Sequence, residues 1–332
     1  MCRNLSKAKI LVTGGAGFMG SAFIKHLLQD KDFSGRIINL DAMTYAADLQ
    51  NLNGIEEGEH YRFVKGNIQD EYLLFTLFRE EQFDFIVHFA AESHVDRSIE
   101  GPKDFLLTNV IGTSNLLEIV RRHPKIHFHH ISTDEVYGAL GPEGVFTEES
   151  PYRPNSPYSA SKAASDHLVR SYIKTYGISA TVSHSSNNFG PGQHEEKLIP
   201  QMIKRLINDE PLTLYGNGEN VRDWIFVEDH AKAVHAILEK GRAGEVYNIG
   251  GENEWSNRDL IHLLVELFGE VRGSKKEGRI IYVKDRPGHD FRYAIDPTKI
   301  FSLDWRPEKP FREGLKETIR WWEARLSETV EV

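Results

Sequence analysis

The chain has 332 residues, of which 40% are hydrophobic, and a formal net charge of −9 at pH 7. This length and apolar content predict a globular protein with a sizeable core. The acidic balance argues against a nucleic-acid or membrane-surface binder, because both need a basic surface. One cysteine, Cys2, and no basic apolar leader before "KILVTGGAG" favour a cytoplasmic protein.

Short apolar segments alternate with longer helical patterns through the first half of the chain. The predicted strands are "KILVT", "RIINL", "YRFVK", "FDFIVHFA", "KIHFHHIS" and "ISATVSHSS". Apolar residues at helical spacing predict a helix over residues 104–122, and a Pro-rich loop precedes a second helix over 156–176. This alternation predicts a Rossmann-type α/β fold with a doubly wound parallel sheet.

The regular alternation ends at "NNFGPGQ", where Gly, Pro and polar residues become frequent. We therefore expect a first domain over residues 1–184 and a smaller C-terminal α/β lobe over 185–332. The segment "VRDWIFVEDHAKAVHAILE" has the pattern of a strand followed by a helix. Residues of about 222–250 are accordingly expected to return to the first domain.

The segment "VTGGAGFMGS" places Gly14, Gly17 and Gly20 directly after the first predicted strand and at the start of a helix. Glycines let the turn approach a pyrophosphate, and the free amides of the helix start can bind it. Asp41 ends the second predicted strand about 20 residues further on, where an acid binds the ribose hydroxyls. The first domain is therefore predicted to bind NAD in preference to NADP, rather than to contain a purely structural turn.

The segment "YSASK" places Tyr158 and Lys162 four residues apart near the start of the second predicted helix, and hence on one helix face. A neighbouring ammonium lowers the phenol pKa from about 10, which makes tyrosine a better base. An isolated pair of this kind is more often part of a solvated helix face. Because the glycine motif lies upstream, we interpret this pair as catalytic.

Three histidines, His127, His129 and His130, lie in the fifth predicted strand. Alternate strand positions face opposite sides of a sheet, and no set of acidic or cysteine ligands accompanies them. We therefore expect no metal site.

Together these motifs resemble the extended short-chain dehydrogenase/reductase family, and in particular its nucleotide-sugar 4,6-dehydratases. The resemblance rests on "AAESHVDRSI", "HHISTDEVYG", "SPYSASKAASDHLVR", "SNNFGPGQ", "EKLIP", "VRDWIFVEDHA", "YNIGG" and "DRPGHD", which span nearly the whole chain. It implies an NAD-dependent hydro-lyase that converts dTDP-glucose to dTDP-4-keto-6-deoxyglucose. The implied steps are oxidation at carbon 4, elimination of water across carbons 5 and 6, and hydride return to carbon 6.

The resemblance also implies roles for the residues that end and follow the fifth predicted strand. Glu135 is expected to take the carbon 5 proton and Asp134 to protonate the departing hydroxyl, which requires one acid to be ionised while its neighbour is protonated. Thr133 would hydrogen-bond the sugar hydroxyl that Tyr158 deprotonates, and Lys162 would also hold the nicotinamide ribose. The alternative is a pair of exposed loop acids that cap the next helix.

Two sets of binding residues follow from the resemblance. Those expected at NAD are Gly14, Gly17, Phe18, Met19, Gly20, Asp41, Ala42, Met43, Thr44, Asn67, Ile68, Ala90, Ala91, Ser93, Thr108, Tyr158, Lys162 and Asn188. Those expected at the nucleotide-sugar, mostly in the C-terminal lobe, are Ser93, His94, Thr133, Asn187, Lys197, Leu198, Thr213, Tyr215, Arg222, Asn257, Arg286 and His289. The family usually has Asp at the position of Asn67 and Pro at that of Thr213, which leaves the NAD affinity and the nucleobase open.

Several alternatives stay open at this point. Within the family they are a 4,6-dehydratase for another nucleotide-sugar, a 4-epimerase and a decarboxylase; outside catalysis, the alternative is a silent NAD-binding protein. Epimerases and decarboxylases share Tyr158 and Lys162 but do not need the Asp-Glu pair, whereas silent proteins commonly lose the tyrosine or lysine. The resemblance also implies a homodimer, in which the helices over 104–122 and 156–176 pack across a two-fold axis.

Overall fold

The computed structural model describes residues 3–330, so Cys2 lies outside the described residues. The strands are β1 (Lys9–Thr13), β2 (Arg36–Asp41), β3 (Tyr61–Lys65), β4 (Phe85–His88), β5 (His127–Thr133), β6 (Ser179–Ser185), β7 (Asn187–Phe189), β8 (Leu212–Tyr215), β9 (Val221–Phe226), β10 (Val246–Ile249), β11 (Glu254–Ser256) and β12 (Ile280–Val283). The α-helices are α1 (Phe18–Gln29), α2 (Glu71–Glu80), α3 (Val95–Glu100), α4 (Pro102–Phe105), α5 (Thr113–Arg122), α6 (Pro157–Tyr176), α7 (Leu198–Ile207), α8 (Val227–Lys240), α9 (Asn257–Arg272), α10 (Thr298–Phe301) and α11 (Phe311–Val330). Leu106–Gly112 forms a π-helical segment, and Leu49–Leu52 and Asp134–Tyr137 form short 3-10 helices.

The central layer is a seven-stranded sheet in the order β10-β6-β5-β4-β1-β2-β3, and every pair in it is parallel. Successive residues of β1 face opposite sides: Ile10 and Val12 join a cluster with Phe23 of α1, whereas Leu11 joins one with Leu116 of α5. Because both faces are covered, strands β1, β2, β4, β5 and β6 are almost entirely buried. The predicted doubly wound α/β fold is confirmed.

The six predicted strands are present as β1 to β6, but the predicted helix over residues 104–122 is not regular. It contains the π-helical segment Leu106–Gly112 between α4 and α5. Asn109 in this segment donates to Ser161 Oγ of α6 (2.8 Å) and accepts from the Glu92 backbone N–H (2.9 Å). The wider turn thus accompanies buried contacts to other segments, which apolar spacing along one helix does not reveal.

The C-terminal part has its own core. A three-stranded sheet in the order β11-β9-β7 and a two-stranded sheet of β12 and β8 pack with α7, α9 and α11. In the segment of about 222–250, α8 packs on α1 and β10 pairs with β6 in the large sheet. Strand β9 instead pairs with β7 and β11, because Trp224 and Phe226 pack with Phe189 and Phe311.

The carboxyl ends of β1, β4, β5 and β6 all lie at one edge of the large sheet. Gly14, Phe89, Asp134 and Ser186 are the residues that follow these strands directly. In open parallel sheets this edge is where ligands bind. Within residues 3–330, no helix is long and apolar enough to cross a membrane.

Candidate active site

A cavity of about 300 Å³ opens at this edge of the sheet. All five predicted catalytic residues line it. So do all the residues predicted to bind NAD except Met43, which has a positive φ of 56° and whose backbone N–H donates to Asp41 Oδ1 (2.8 Å). The residues implied at the cofactor therefore share one cavity with those implied in catalysis.

The glycine turn after β1 forms one wall of the cavity. Gly14 has a φ of 73°, and a Cβ at this position would lie 2.6 Å from the backbone nitrogen of Ala90. A Cβ on Gly20 would lie 2.4 Å from the Gly14 carbonyl oxygen. Helix α1 begins at Phe18, so its first amides, which lack partners within the helix, lie at this wall. The turn is therefore a tight cradle for an anionic group such as a pyrophosphate.

Asp41 ends β2 directly beside the glycine turn. Its carboxylate accepts hydrogen bonds from the backbone N–H groups of Ala16 (2.9 Å) and Met43 (2.8 Å). Burial raises the pKa of Asp41, and these two N–H groups oppose that effect. Each oxygen keeps a further lone pair, so Asp41 both holds the loop and can accept from a ribose.

Tyr158 and Lys162 are set in place by the start of α6. Ser156 caps the helix: its Oγ accepts from the Ser159 backbone N–H, and the Ser156 backbone N–H donates to Ser159 Oγ, both at 3.1 Å. Tyr158 hydrogen-bonds Thr133 at the end of β5, and Lys162 Nζ donates to the carbonyl oxygen of a β5 residue at 2.7 Å. The predicted Thr, Tyr and Lys residues thus meet at the junction of β5 and α6.

In the chain by itself the pKa of Tyr158 is raised, and its predicted lowering by the neighbouring ammonium stays a prediction. Burial raises the pKa of Tyr158, the charge of Glu135 raises it further, and the hydrogen bond with Thr133 lowers it. Burial also lowers the pKa of Lys162 to about 8. Burial disfavours the charged form of both groups. The spacing of two residues on a helix does not reveal how deeply they are buried.

Asp134 and Glu135 lie in the one-turn helix after β5. Asp134 is 2% exposed, and Thr133 Oγ1 donates to its Oδ1 at 3.3 Å, while its Oδ2 has no partner among the described residues. The Glu135 backbone N–H donates to Thr133 Oγ1 (3.3 Å), so Thr133 caps this helix. The alternative of two exposed capping acids does not fit this geometry.

The two acids differ in their surroundings. Burial raises the pKa of Asp134 well above its ordinary value, and the charge of Glu135 adds to that effect. Burial also raises the pKa of Glu135, but the positive charges of Arg286, Arg222 and Lys197 oppose it. The arrangement therefore favours a protonated Asp134 beside a more readily ionised Glu135.

Three cations surround Glu135 from different parts of the chain. Lys197 lines the cavity, where its Nζ donates to a backbone carbonyl at 2.9 Å. Arg222 in β9 is 5% exposed, and Arg286 lies 3.6 Å from the Asp96 carboxylate. Such a group of cations suits the oxygens of a diphosphate.

The predicted sugar-nucleotide residues do not all meet in the cavity. Ser93, Thr133, Asn187 and Lys197 line it. The remaining ones are outside its lining: His94, Leu198, Thr213, Tyr215, Arg222, Asn257, Arg286 and His289. Two of these are close to one another in the C-terminal lobe, where the rings of Tyr215 and His289 lie edge to face at 6.3 Å.

The cavity also contains residues that the sequence patterns did not identify, namely Leu40, Ala46, Ala47, Gly66, Phe89, Glu92, Ile131, Ser132, Ser185, Ser186, Gln193, His194 and Glu196. Most are chain neighbours of predicted residues, which is the signal that could have identified them. Gln193 Nε2 donates to the Asn188 backbone oxygen at 2.8 Å. The side-chain oxygens of Gln193 and Asn188 are buried without a partner in the described chain, which leaves two acceptors for a ligand with N–H groups.

The three histidines of β5 have partners of other kinds. His127 contacts Ser179, His129 contacts Thr181, and the ring of His130 lies 3.1 Å from a serine hydroxyl of α6. Among residues 3–330, no group of three His, Cys, Asp or Glu side chains is arranged to hold a metal ion.

The parallel sheet, the glycine turn and the Tyr-Lys pair define a Rossmann-fold protein of the short-chain dehydrogenase/reductase class. Residues 11–318 match the model of the family described as GDP-mannose 4,6 dehydratase, and the chain belongs to this family.

Individual proteins narrow the relationship. A dTDP-glucose 4,6-dehydratase from Xanthomonas campestris pv. campestris is 49% identical over 326 residues, which cover 94% of this chain and 92% of the relative. The crystal structure of dTDP-glucose 4,6-dehydratase from Bacillus anthracis str. Ames in complex with NAD has a TM-score of 0.88 and 47% identity, and covers 96% and 98% of the two chains. A UDP-glucose 4-epimerase from Thermus thermophilus, in complex with NAD, has a TM-score of 0.85 but 28% identity, and covers 95% and 99%. The predicted resemblance to nucleotide-sugar 4,6-dehydratases is confirmed.

Proposed function

We propose that this chain is an NAD-dependent hydro-lyase that converts dTDP-glucose to dTDP-4-keto-6-deoxyglucose in deoxysugar biosynthesis. The observation that carries the proposal is the placement of Asp134 and Glu135 in the same cavity as Tyr158 and Lys162. The first pair suits elimination of water, and the second pair suits oxidation of an alcohol. The relatives at 45–49% identity that are dTDP-glucose 4,6-dehydratases support the same conclusion.

The residues of the cavity fit NAD. The glycine turn packs tightly against the backbone at Ala90, and it brings the first amides of α1 to the cavity, where they can bind a pyrophosphate. Asp41 can accept from the adenosine ribose, and the free oxygens of Asn188 and Gln193 can accept from a carboxamide. NAD, when bound, supplies the hydride acceptor and a positive charge on its nicotinamide ring.

For the oxidation step, we infer that Tyr158 takes the proton of the carbon 4 hydroxyl while Thr133 hydrogen-bonds the same oxygen. Lys162 holds the ribose of the cofactor and contributes a positive charge beside the phenol. That charge is needed, because burial and Glu135 raise the pKa of Tyr158.

For the elimination step, we infer that Glu135 removes the carbon 5 proton and Asp134 protonates the departing hydroxyl at carbon 6. The raised pKa of Asp134 keeps it a proton donor at neutral pH. The cations around Glu135 favour its ionised form, which a base requires.

For the substrate, we propose that Lys197, Arg222 and Arg286 bind the diphosphate. The rings of Tyr215 and His289 then offer a surface for the nucleobase, beyond the diphosphate in the C-terminal lobe. A 4-epimerase or decarboxylase would use the same cofactor site, but would leave the Asp-Glu pair without a role.

The deciding experiment incubates the purified chain with a panel of nucleotide-sugars and measures the mass of each product. We expect loss of one water from dTDP-glucose and, in heavy water, deuterium at carbon 5. An unchanged mass with an inverted carbon 4 would indicate an epimerase, and loss of carbon dioxide a decarboxylase. Dehydration of another nucleotide-sugar in preference would correct the substrate.

We also propose that the chain forms a homodimer through residues 104–122 and 156–176. Leu106 and Ile111 are about half exposed on the first of these segments, and Tyr176 is similarly exposed at the end of α6. Pairing with a second copy would cover these apolar groups. Light scattering of the purified protein measures the mass and tests the proposal, and a monomeric mass would contradict it. A cytoplasmic location is proposed from the near absence of cysteine.

A further inference from the structure

A buried polar network adjoins Lys162 and has no role in the steps above. Its centre is the carboxylate of Asp166, one helical turn after Lys162 in α6 and 3% exposed. Ser132 Oγ donates to Asp166 Oδ2 at 2.9 Å, and His184 Nε2 lies 3.0 Å from the same oxygen. His130 Nε2 lies 3.3 Å from Oδ1. Side chains from β5 and β6 thus converge on one carboxylate.

His130 stands between this carboxylate and the ammonium of Lys162. Its Nε2 atom is 3.5 Å from Lys162 Nζ and 3.3 Å from Asp166 Oδ1. Lys162 Nζ also donates to the carbonyl oxygen of Ile131 at 2.7 Å. Both contacts come from β5, the strand that ends at Thr133. The carboxylate and the ammonium therefore lie on either side of one ring nitrogen, which places the negative charge close to the ammonium and to the strand that carries the proposed reacting groups.

The network keeps Asp166 ionised although it is buried. Burial alone would raise the pKa of this carboxyl, but the hydrogen bonds from His130 and His184 outweigh it, and the pKa lies well below its usual range. Burial lowers the pKa of Lys162 to about 8, and the charge of Asp166 acts in the opposite direction. A buried ammonium that is close to losing its proton near neutral pH depends on a nearby negative charge.

We propose that Asp166 is a positioning residue whose buried carboxylate, held by Ser132, His130 and His184, fixes the Lys162 ammonium in the cavity. The inference rests on the proposed function, in which Lys162 holds the ribose of NAD. Asp166 is not part of the cavity lining and acts through Lys162.

Other ionisable groups surround Lys162 and Asp166. They are His88 in β4, His130 in β5, His184 in β6, Tyr158 in α6, Asp134, Glu135 and Tyr137 in the short helix after β5, and Tyr152 in the loop before α6. Burial lowers the pKa of His88, and it brings the pKa of His130 to about 4, so His130 is neutral near pH 7. Asp166 is the acid that raises the pKa of Lys162.

The test is Asp166→Asn, which keeps the shape and an acceptor oxygen but removes the charge. The ammonium is the working form of Lys162, and it is lost as the pH rises through its pKa. Without Asp166 that pKa falls, so the alkaline limit of NAD binding, measured by titration at a series of pH values, should move to lower pH by about 1–3 units. The alkaline limb of kcat/KM for dTDP-glucose should move in the same direction.

The matched control is Asp229→Asn. Asp229 is also a buried carboxylate, and it accepts from the backbone N–H groups of Glu308 (3.0 Å) and Lys309 (2.8 Å) at a different place in the fold. This variant should leave the alkaline limit of NAD binding where it is. An equal shift in both variants would mean that loss of any buried carboxylate has the effect, and would overturn the inference.

A folded Asp166→Asn protein whose NAD binding keeps the wild-type alkaline limit would also overturn the inference. If that variant is not recovered folded, His130→Gln takes its place: the ring contact with Lys162 is lost, and the limit should shift in the same direction by less. An unchanged limit there overturns the inference. Absence of dehydrated product from the wild type would instead contradict the proposed function, while the NAD titrations would still test Asp166.

Discussion

The cavity at the edge of the large sheet and the cationic side of the C-terminal part are built in different ways. Most of the cavity lining comes from short segments that directly follow β1, β2, β4, β5 and β6. The cations Lys197, Arg222 and Arg286 come from separate segments of the chain, and they act together on Glu135. Backbone turns dominate the first region, whereas long side chains dominate the second.

Because of this difference, the two regions should respond to different kinds of substitution. A backbone cradle has no spare space, so a single added atom in the glycine turn must displace the chain or the ligand. In the C-terminal part three cations are proposed to bind the same diphosphate, so the loss of one leaves two others in place. We therefore expect steric changes in the cavity to have larger effects than charge removal in the C-terminal part.

The largest effect is expected at Glu135, where the two regions meet. Glu135→Gln keeps the shape but cannot accept the carbon 5 proton, so elimination should slow by about 10²–10⁴-fold. In a single turnover with dTDP-glucose, reduced nicotinamide should accumulate, because oxidation at carbon 4 continues while elimination waits.

The exposed Glu143→Gln serves as the control for that experiment and should retain wild-type turnover. Product formation at the wild-type rate by Glu135→Gln would make the acid pair structural. An epimerase or decarboxylase would then be the better assignment.

A substitution in the glycine turn tests the cavity alone. Gly14→Ala places a Cβ 2.6 Å from the Ala90 nitrogen at a positive φ, so NAD affinity should fall by about tenfold to a hundredfold, as expected for 1–3 kcal/mol of strain. Calorimetric titration with NAD measures this.

Gly177→Ala is the matched control for the glycine turn. Gly177 also has a positive φ, of 70°, but a Cβ there meets no atom within 4 Å. It should lower thermal stability, since a left-handed residue costs about 1–2 kcal/mol, while NAD affinity stays unchanged. Equal losses of affinity in both variants would show that backbone strain, and not crowding, is responsible.

Removal of one cation tests the C-terminal part. Arg286→Gln should raise the KM for dTDP-glucose by about tenfold, because a hydrogen bond to a charged group contributes about 1.5–3 kcal/mol and two cations remain. It should leave NAD affinity unchanged. Loss of this positive charge also raises the pKa of Glu135 further, so the base stays protonated to higher pH and the acidic limb of kcat/KM moves upward.

Arg258→Gln, which removes an arginine paired with its neighbour Asp259 at 4.0 Å, is the control for charge alone. If Arg286→Gln affects NAD affinity as strongly as it affects the KM for dTDP-glucose, then the cavity and the cationic side of the C-terminal part do not act separately.

The smallest effect is expected at Asp41. Asp41→Asn keeps an acceptor for the N–H groups of Ala16 and Met43 but no longer repels a 2′-phosphate. The preference for NAD over NADP should narrow by about threefold to tenfold, or ~1 kcal/mol. Parallel titrations with both cofactors measure the ratio, and an unchanged ratio would place the discrimination elsewhere in the cavity.

Much of the fold and the cofactor region could be predicted from the chain, because their signals are local. Strands β1 to β6 are short segments that contain apolar residues, and the glycine turn, Asp41 and Tyr158 each lie at a fixed place relative to a predicted strand or helix. The π-helical segment around Asn109 could not be predicted, since its reason is a set of contacts to residues far away in the sequence.

The sequence by itself determined the parallel sheet, the position of the glycine turn and the presence of a Tyr-Lys pair and of two adjacent acids. These depend on apolar periodicity and on short spacings, which are properties of the chain alone. The tertiary structure decided how the two acids differ, because burial raises the pKa of both Asp134 and Glu135 while three cations from distant parts of the chain oppose that rise at Glu135. It also decided that Asp166 and Lys162 both lie beside His130, since strands β5 and β6 meet α6 only when the fold is complete.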